Sequence, residues 1–78
     1  MLKGICLLTV IPMRKKKSDT SEMINQILFG ETFEIIKKEK NWSYIELIHD
    51  SYRGWIDNKQ YKLITLKNYI YKLPNKKI

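Results

Sequence analysis

WSYIELIHDSYRGWID, residues 42–57, reads as two strands joined by a short turn. Along the first, Ser43, Ile45 and Leu47 share one face and Trp42, Tyr44 and Glu46 the other, because successive side chains of a strand point to opposite sides. His49-Asp50-Ser51 supplies the turn, where Asp and Ser side chains hydrogen-bond to nearby backbone. Gly54 marks a point in the returning strand where another backbone comes close or the strand bulges. Trp55 and Ile56 are neighbours and fall on opposite faces, so an Ile56 that fills the core leaves the Trp55 indole facing outward. A hairpin of two strands is not stable by itself in water. The flanking residues must therefore add strands over its apolar face.

They carry the signals to do so. Residues 5–11, between Gly4 and Pro12, are rich in β-formers and predict a first strand. Pro12 has no amide hydrogen for a ladder, which predicts that the chain leaves the sheet there. Residues 13–20 are charged or small and without periodicity: a loop, in which Ser18 or Asp19 caps a single helical turn. EMINQILF (22–29) alternates as a short strand with mixed faces, and Gly30-Glu31 is a turn where glycine takes positive φ. TFEIIKKE (32–39) places Phe33 and Ile35 on one face and Ile36 on the other, with β-branched and aromatic content that favours a strand. Lys40-Asn41 turns straight into Trp42. Residues 58–60 suit one 3₁₀ turn, and YKLIT (61–65) makes a last short strand. The expectation is an all-β fold, a small barrel of five to six short strands with one 3₁₀ turn. Residues 1–65 form the barrel. Residues 66–78, with four lysines and no acidic side chain, read as a basic connector toward a further domain.

At 78 residues the chain reads as one small domain or a piece of a larger protein, burying about 60% of its unfolded surface. The lone Cys6 excludes an internal disulfide and a cysteine-based metal cluster, and neither a metal nor another cofactor is expected. Cys6 lies in an apolar run and reads as a small packing residue; His49, in a turn, faces solvent. No stretch approaches the ~20 apolar residues of a membrane span. The N-terminal apolar run is roughly half the length of a secretory h-region, so the compartment expected is the cytoplasm, or the periplasm or exterior if a leader precedes Met1. The net charge of +7 is concentrated in the residue 66–78 segment and in Arg14-Lys15-Lys16-Lys17. Such a run reads first as a solvated loop; a basic small-barrel nucleic-acid-binding domain is the alternative.

Pro12-Met13-Arg14, Ser18-Asp19-Thr20-Ser21-Glu22-Met23, Leu28-Phe29-Gly30-Glu31, Trp42 and Tyr52-Arg53-Gly54-Trp55-Ile56 occur in that order over most of residues 5–65. In order and spacing they resemble the bacterial SH3-like (SH3b) family, most of all the N-terminal SH3b domain of NlpC-type cell-wall cysteine peptidases. Those enzymes are γ-D-glutamyl-L-diamino acid endopeptidases or dipeptidyl-peptidases that trim peptidoglycan peptides. The resemblance implies a non-catalytic module that walls one end of the cleft of a covalently attached, C-terminal catalytic domain. The Cys-His-His set of that catalytic domain has no counterpart here, so the chain is not expected to be an enzyme. It also implies a carboxylate and a phenol that meet the free α-amine of a substrate's N-terminal L-Ala, a charge-assisted contact that favours a free amino end. By motif position these are Glu22 and Tyr52. Trp55, whose indole is outward if Ile56 fills the core, is the third ligand-binding candidate; Trp42 and Trp55 alike are also weighed as walls of the core. A peptidoglycan-derived peptide is thus the expected partner, ahead of nucleic acid.

Overall fold

A computed structural model describes residues 2–64 of the chain; the proposed connector, residues 66–78, lies outside them. Seven strands form one antiparallel sheet: β1 (Lys3–Ile5), β2 (Val10–Arg14), β3 (Met23–Leu28), β4 (Thr32–Lys38), β5 (Trp42–Leu47), β6 (Arg53–Asp57) and β7 (Lys62–Leu63). Their order in the sheet is β3-β2-β6-β5-β4-β1-β7. A 3₁₀ turn, Asn58–Gln60, separates β6 from β7, and the described residues contain no α-helix. The sheet makes a small barrel, and the residue after β1 continues the β1–β4 ladder to the β3–β4 corner. There the Cys6 amide donates to the Glu31 carbonyl and the Gly30 amide to the Cys6 carbonyl, at 3.0 and 2.7 Å.

Alternation fixes which side faces in. Ser43, Ile45 and Leu47 of β5 are buried, as are Phe33 and Ile35 of β4 and Ile56 of β6. Together with Cys6, Ile11, Met13, Ile27 and Tyr61 they make the core. Gly54 is buried opposite Ile45 in an unbroken β5–β6 register, so the bulges lie elsewhere. One falls on β3, where Ile24 is the extra residue between the pairs Met13–Asn25 and Arg14–Met23. The other falls on β4, where Ile36 is extra between Ile35–Ile45 and Lys37–Tyr44. The first turns Ile24 onto the core; the second leaves Ile36 exposed.

The turns behave as their residues dictate. Gly30 has φ of 86° at the third position of the turn 28–31, where a type II turn needs positive φ, and the Glu31 amide donates back to the Leu28 carbonyl. The Asp50 carboxylate accepts from the Tyr52 amide, and Ser51 takes the left-handed conformation. Outward amides on the β3 edge are covered by side chains: Leu28 N–H donates to Glu31 Oε1 and Gln26 N–H to Asn25 Oδ1. That blunts an edge that would otherwise pair with another chain.

The sequence expectation errs at the N-terminal end. The strand expected over 5–11 is two strands, and Pro12 lies inside β2 opposite Gln26 rather than at its end. Only Arg14 of β2 is registered with β6, so Pro12 withholds no hydrogen bond from a continuous central ladder. Gly4 is a mid-strand residue, paired with Phe33 on one side and Leu63 on the other. The last strand is two residues long. At residues 18–21 the chain makes a single hydrogen-bonded turn, the Ser21 amide donating to the Ser18 carbonyl at 3.1 Å and the Thr20 amide to Ser18 Oγ, and no helix continues from it.

Candidate functional site

The two bulges align an outward-facing row of side chains across five strands: Met23, Arg14, Trp55, Tyr44 and Lys37 follow one another in register from β3 through β2, β6 and β5 to β4. At its centre the Trp55 and Tyr44 rings lie 5.1 Å apart, tilted by 50°. Both are half-buried, so each rests on the sheet and stays partly open to solvent. One row further on, Trp42 stands opposite Asp57. In the other direction Glu46 and Arg53 are paired, with Arg53 Nε donating to Glu46 Oε1 at 2.8 Å.

The loop 15–22 folds over this face and is cross-bonded internally. The Lys15 amide donates to the Glu22 carbonyl, the Lys16 amide to Ser21 Oγ, and Arg14 Nη1 to the Ser21 carbonyl. Lys17 reaches across to β4: its Nζ is 2.9 Å from Glu39 Oε1 and 5.2 Å from the centroid of the Trp55 ring. Lys37 meets the other Glu39 oxygen at 3.3 Å. The hydrogen bond from Lys17 is the main reason the Glu39 carboxyl titrates below its ordinary value; desolvation opposes the shift and Lys37 adds to it. Because the pair is solvent-exposed, it fixes position more than stability.

A lowered pKa means the clamp is complete above the ordinary carboxylate range and is lost only as pH falls through the depressed value. The Trp55 indole NMR signal should therefore stay constant from neutral pH down through that ordinary range and move only at lower pH. Lys17→Met should remove the acid-side movement. An unchanged profile in that variant would show that Lys17 does not cover Trp55 in solution.

Glu22 is exposed on the loop stem, directly before β3, and among the described residues its carboxylate has no hydrogen-bond or ion-pair partner. Tyr52 is 42% exposed at the mouth of the β5–β6 turn, its carbonyl accepting from the Leu47 amide. It lies three residues, about 10 Å of extended chain, from Trp55. The ring and cation contacts of Trp55 are with Tyr44 and Lys17; Glu22 and Tyr52 take no part in them. Two members of this surface, Lys17 and Tyr44, escaped the sequence reading. Tyr44 had a signal, since it shares a face with Trp42, but nothing local shows which loop residue folds over a strand.

Cys6 and His49 are not joined. Cys6 is fully buried and its thiol donates to the carbonyls of Leu8 and Ile27 at 3.1 and 3.6 Å. Burial pushes its pKa up, with the Leu8 hydrogen bond opposing and the Glu31 charge adding to the rise. A nucleophilic thiol needs a depressed pKa and access, so Cys6 is a packing residue. The His49 ring is exposed, 3.9 Å from Glu31 and Asp50. Among the described residues no three His, Cys, Asp or Glu side chains are grouped to hold a metal ion.

A family model described as the bacterial dipeptidyl-peptidase SH3 domain matches residues 13–60, more than half of the chain. The chain belongs to that family. The match runs from the end of β2 through the 3₁₀ turn, and so takes in the whole aromatic row and the loop above it. No curated protein and no solved structure matches the chain. A bacterial SH3 domain of this family is consistent with a non-catalytic accessory module. Its β-rich build, with every described apolar core residue contributed by a strand or a turn next to one, accords with the family and with the barrel expected from the sequence.

Proposed function

We propose that this SH3 domain is the accessory module of an NlpC-type cysteine peptidase, attached ahead of the catalytic domain, where it receives a peptidoglycan-derived peptide. The observation that supports this best is the half-exposed Trp55–Tyr44 pair at the centre of the outer row, with Ile56 filling the core behind it. An aromatic face with polar edges is a surface on which a peptide docks. Glu22 and Tyr52, both exposed and both on the N-terminal side of that row, since β3 and β6 run in the same direction, take the roles the resemblance implies for them: a carboxylate and a phenol for the free amino end of an N-terminal L-Ala. Cleavage itself belongs to the attached domain, since Cys6 is sealed in the core.

The basic run gives the nucleic-acid alternative little to stand on. Arg14 is a strand residue bonded to Ser21 and Lys17 is engaged with Glu39, and among the described residues Lys15 and Lys16 are the members of the run without such partners.

With the catalytic domain attached, Glu22→Gln and Tyr52→Phe should each weaken the preference for a free over an N-acetylated L-Ala peptide by about 1–3 kcal/mol in kcat/KM, while thermal unfolding stays unchanged. Trp55→Ala should raise KM for both peptides. If Glu22→Gln and Tyr52→Phe both retain the wild-type preference, the amine is recognised elsewhere.

A further inference from the structure

Beside the aromatic row lies a groove of about 450 Å³ between the loop 15–22 and the start of the 3₁₀ turn, lined among others by Lys17, Asp19, Trp42, Asp57 and Lys59. Its size is that of a small-ligand site. We infer that this groove is a second binding subsite, for a short extended peptide that carries a free carboxylate, with Lys59 meeting the carboxylate and Trp42 supporting the chain. It rests on the reading of the domain as a peptide receptor, and it names the part of the ligand that the Trp55 row does not meet.

The walls of the groove are fixed before anything binds. Asn58 Nδ2 donates to the Glu39 and Lys40 carbonyls, and the Asn58 amide donates to the Asn41 carbonyl at 2.9 Å, which holds the β4–β5 turn against the 3₁₀ turn. Asp57 Oδ1 accepts from the Lys59 amide at 2.8 Å and sets the direction of that turn. Lys17 is anchored on Glu39. The groups inside, in contrast, are unspent. Among the described residues the Lys59 ammonium and the Asp19 carboxylate have no partner, and the half-buried Trp42 ring makes no ring or cation contact.

The charges select the ligand. Lys17 and Lys59 line the groove, and with Lys17 engaged by Glu39 the Lys59 ammonium is left to draw an anionic group. Asp19 and Asp57 on the same walls oppose a phosphodiester chain, yet they serve as acceptors for the N–H groups of a peptide. An indole floor with one free cation and one free anion on opposite elements thus suits an acidic peptide better than a nucleic acid.

The two tryptophans report the two surfaces separately. The ¹⁵N-labelled 78-residue chain is titrated with L-Ala-γ-D-Glu-L-Lys and with the same peptide amidated at its carboxylates, the indole signals being assigned through Trp42→Phe and Trp55→Phe. The acidic peptide should shift the Trp42 indole saturably. Amidation or Lys59→Ala should weaken that binding at least tenfold, and Asp19→Asn several-fold. A Trp42 signal that stays still to millimolar peptide, or moves alike with the amidated peptide and in Lys59→Ala, overturns the subsite. So does an oligothymidine that moves Trp42 where the peptide does not. Movement of Trp55 with Trp42 silent removes the groove and leaves the aromatic row standing; movement of Trp42 with Trp55 silent does the reverse.

Discussion

Phe33→Ala is expected to remove about half of the domain's stability at 25 °C. The ring is fully buried and stands edge-on to Tyr61, centroids 5.4 Å apart at 79°. It also covers Gly4: a Cβ on that glycine would lie 2.5 Å from Phe33 Cε1. The phenyl ring thus occupies the volume of the side chain that β1 lacks, an aromatic filling the gap above a strand glycine. Truncation removes the packing of β4 on β1 and on the 3₁₀ turn in one step. Deleting a buried phenylalanine costs about 3–5 kcal/mol. A domain of this size has roughly 4–10 kcal/mol in total, so about half of its stability goes with the ring. Urea unfolding followed by near-ultraviolet circular dichroism measures this. A midpoint lowered by the equivalent of less than about 1 kcal/mol, at unchanged slope, would mean that Phe33 does not organise the core as described.

Asn58→Ala should be the most damaging substitution of a partly exposed residue, at about 2–3 kcal/mol, or a melting temperature lower by roughly 10–20 °C. Ser43 is the one buried polar residue among those described. Its hydroxyl donates to Asn58 Oδ1 at 2.5 Å and shares a hydrogen bond with the Tyr61 hydroxyl at 2.9 Å. Removing Asn58 leaves that hydroxyl pair short of an acceptor and strips the Glu39 and Lys40 carbonyls of their shared donor. Unmet groups at a buried site are costlier than the net worth of the bonds they made. Asn58→Asp separates the two halves of the network: it keeps an acceptor for Ser43 but sets a carboxylate against two carbonyls, so it should be no better than alanine. An Asn58→Asp protein as stable as wild type would show that the bond to the β4–β5 turn contributes nothing. Because Asn58 also holds that turn against the 3₁₀ turn, its loss should blur both tryptophan signals before the domain unfolds.

Much of the barrel was legible residue by residue. The inward set Ser43, Ile45 and Leu47, the outward Trp55 behind Ile56, the positive φ at Gly30 and the 3₁₀ turn at 58–60 all follow from period-two alternation and local turn chemistry. Ser43 even announced itself: a hydroxyl on a face otherwise made of Ile and Leu has to find a buried partner. Which partner it finds was not legible. Asn58 and Tyr61 lie 15 and 18 residues away, and no local pattern links them. The N-terminal errors have the same origin. Pro12 breaks a strand only if both edges are paired, and the narrow β2–β6 junction is a property of the closed sheet. Gly4 ends a strand in a sequence reading but sits within one once Phe33 covers it.

Alternation and turn residues, which act over a few neighbouring positions, were enough to set the all-β class, the inward faces and the outward indole of Trp55. Long-range pairing alone decided that bulges at Ile24 and Ile36 would bring Met23, Arg14, Trp55, Tyr44 and Lys37 into one row, that Lys17 would lie over it, and that Trp42 would line a groove with Lys59. The reason is one of range: side-chain direction along a strand is settled by its own backbone, whereas the neighbours of a side chain across a sheet depend on register, and register is settled only when the barrel closes.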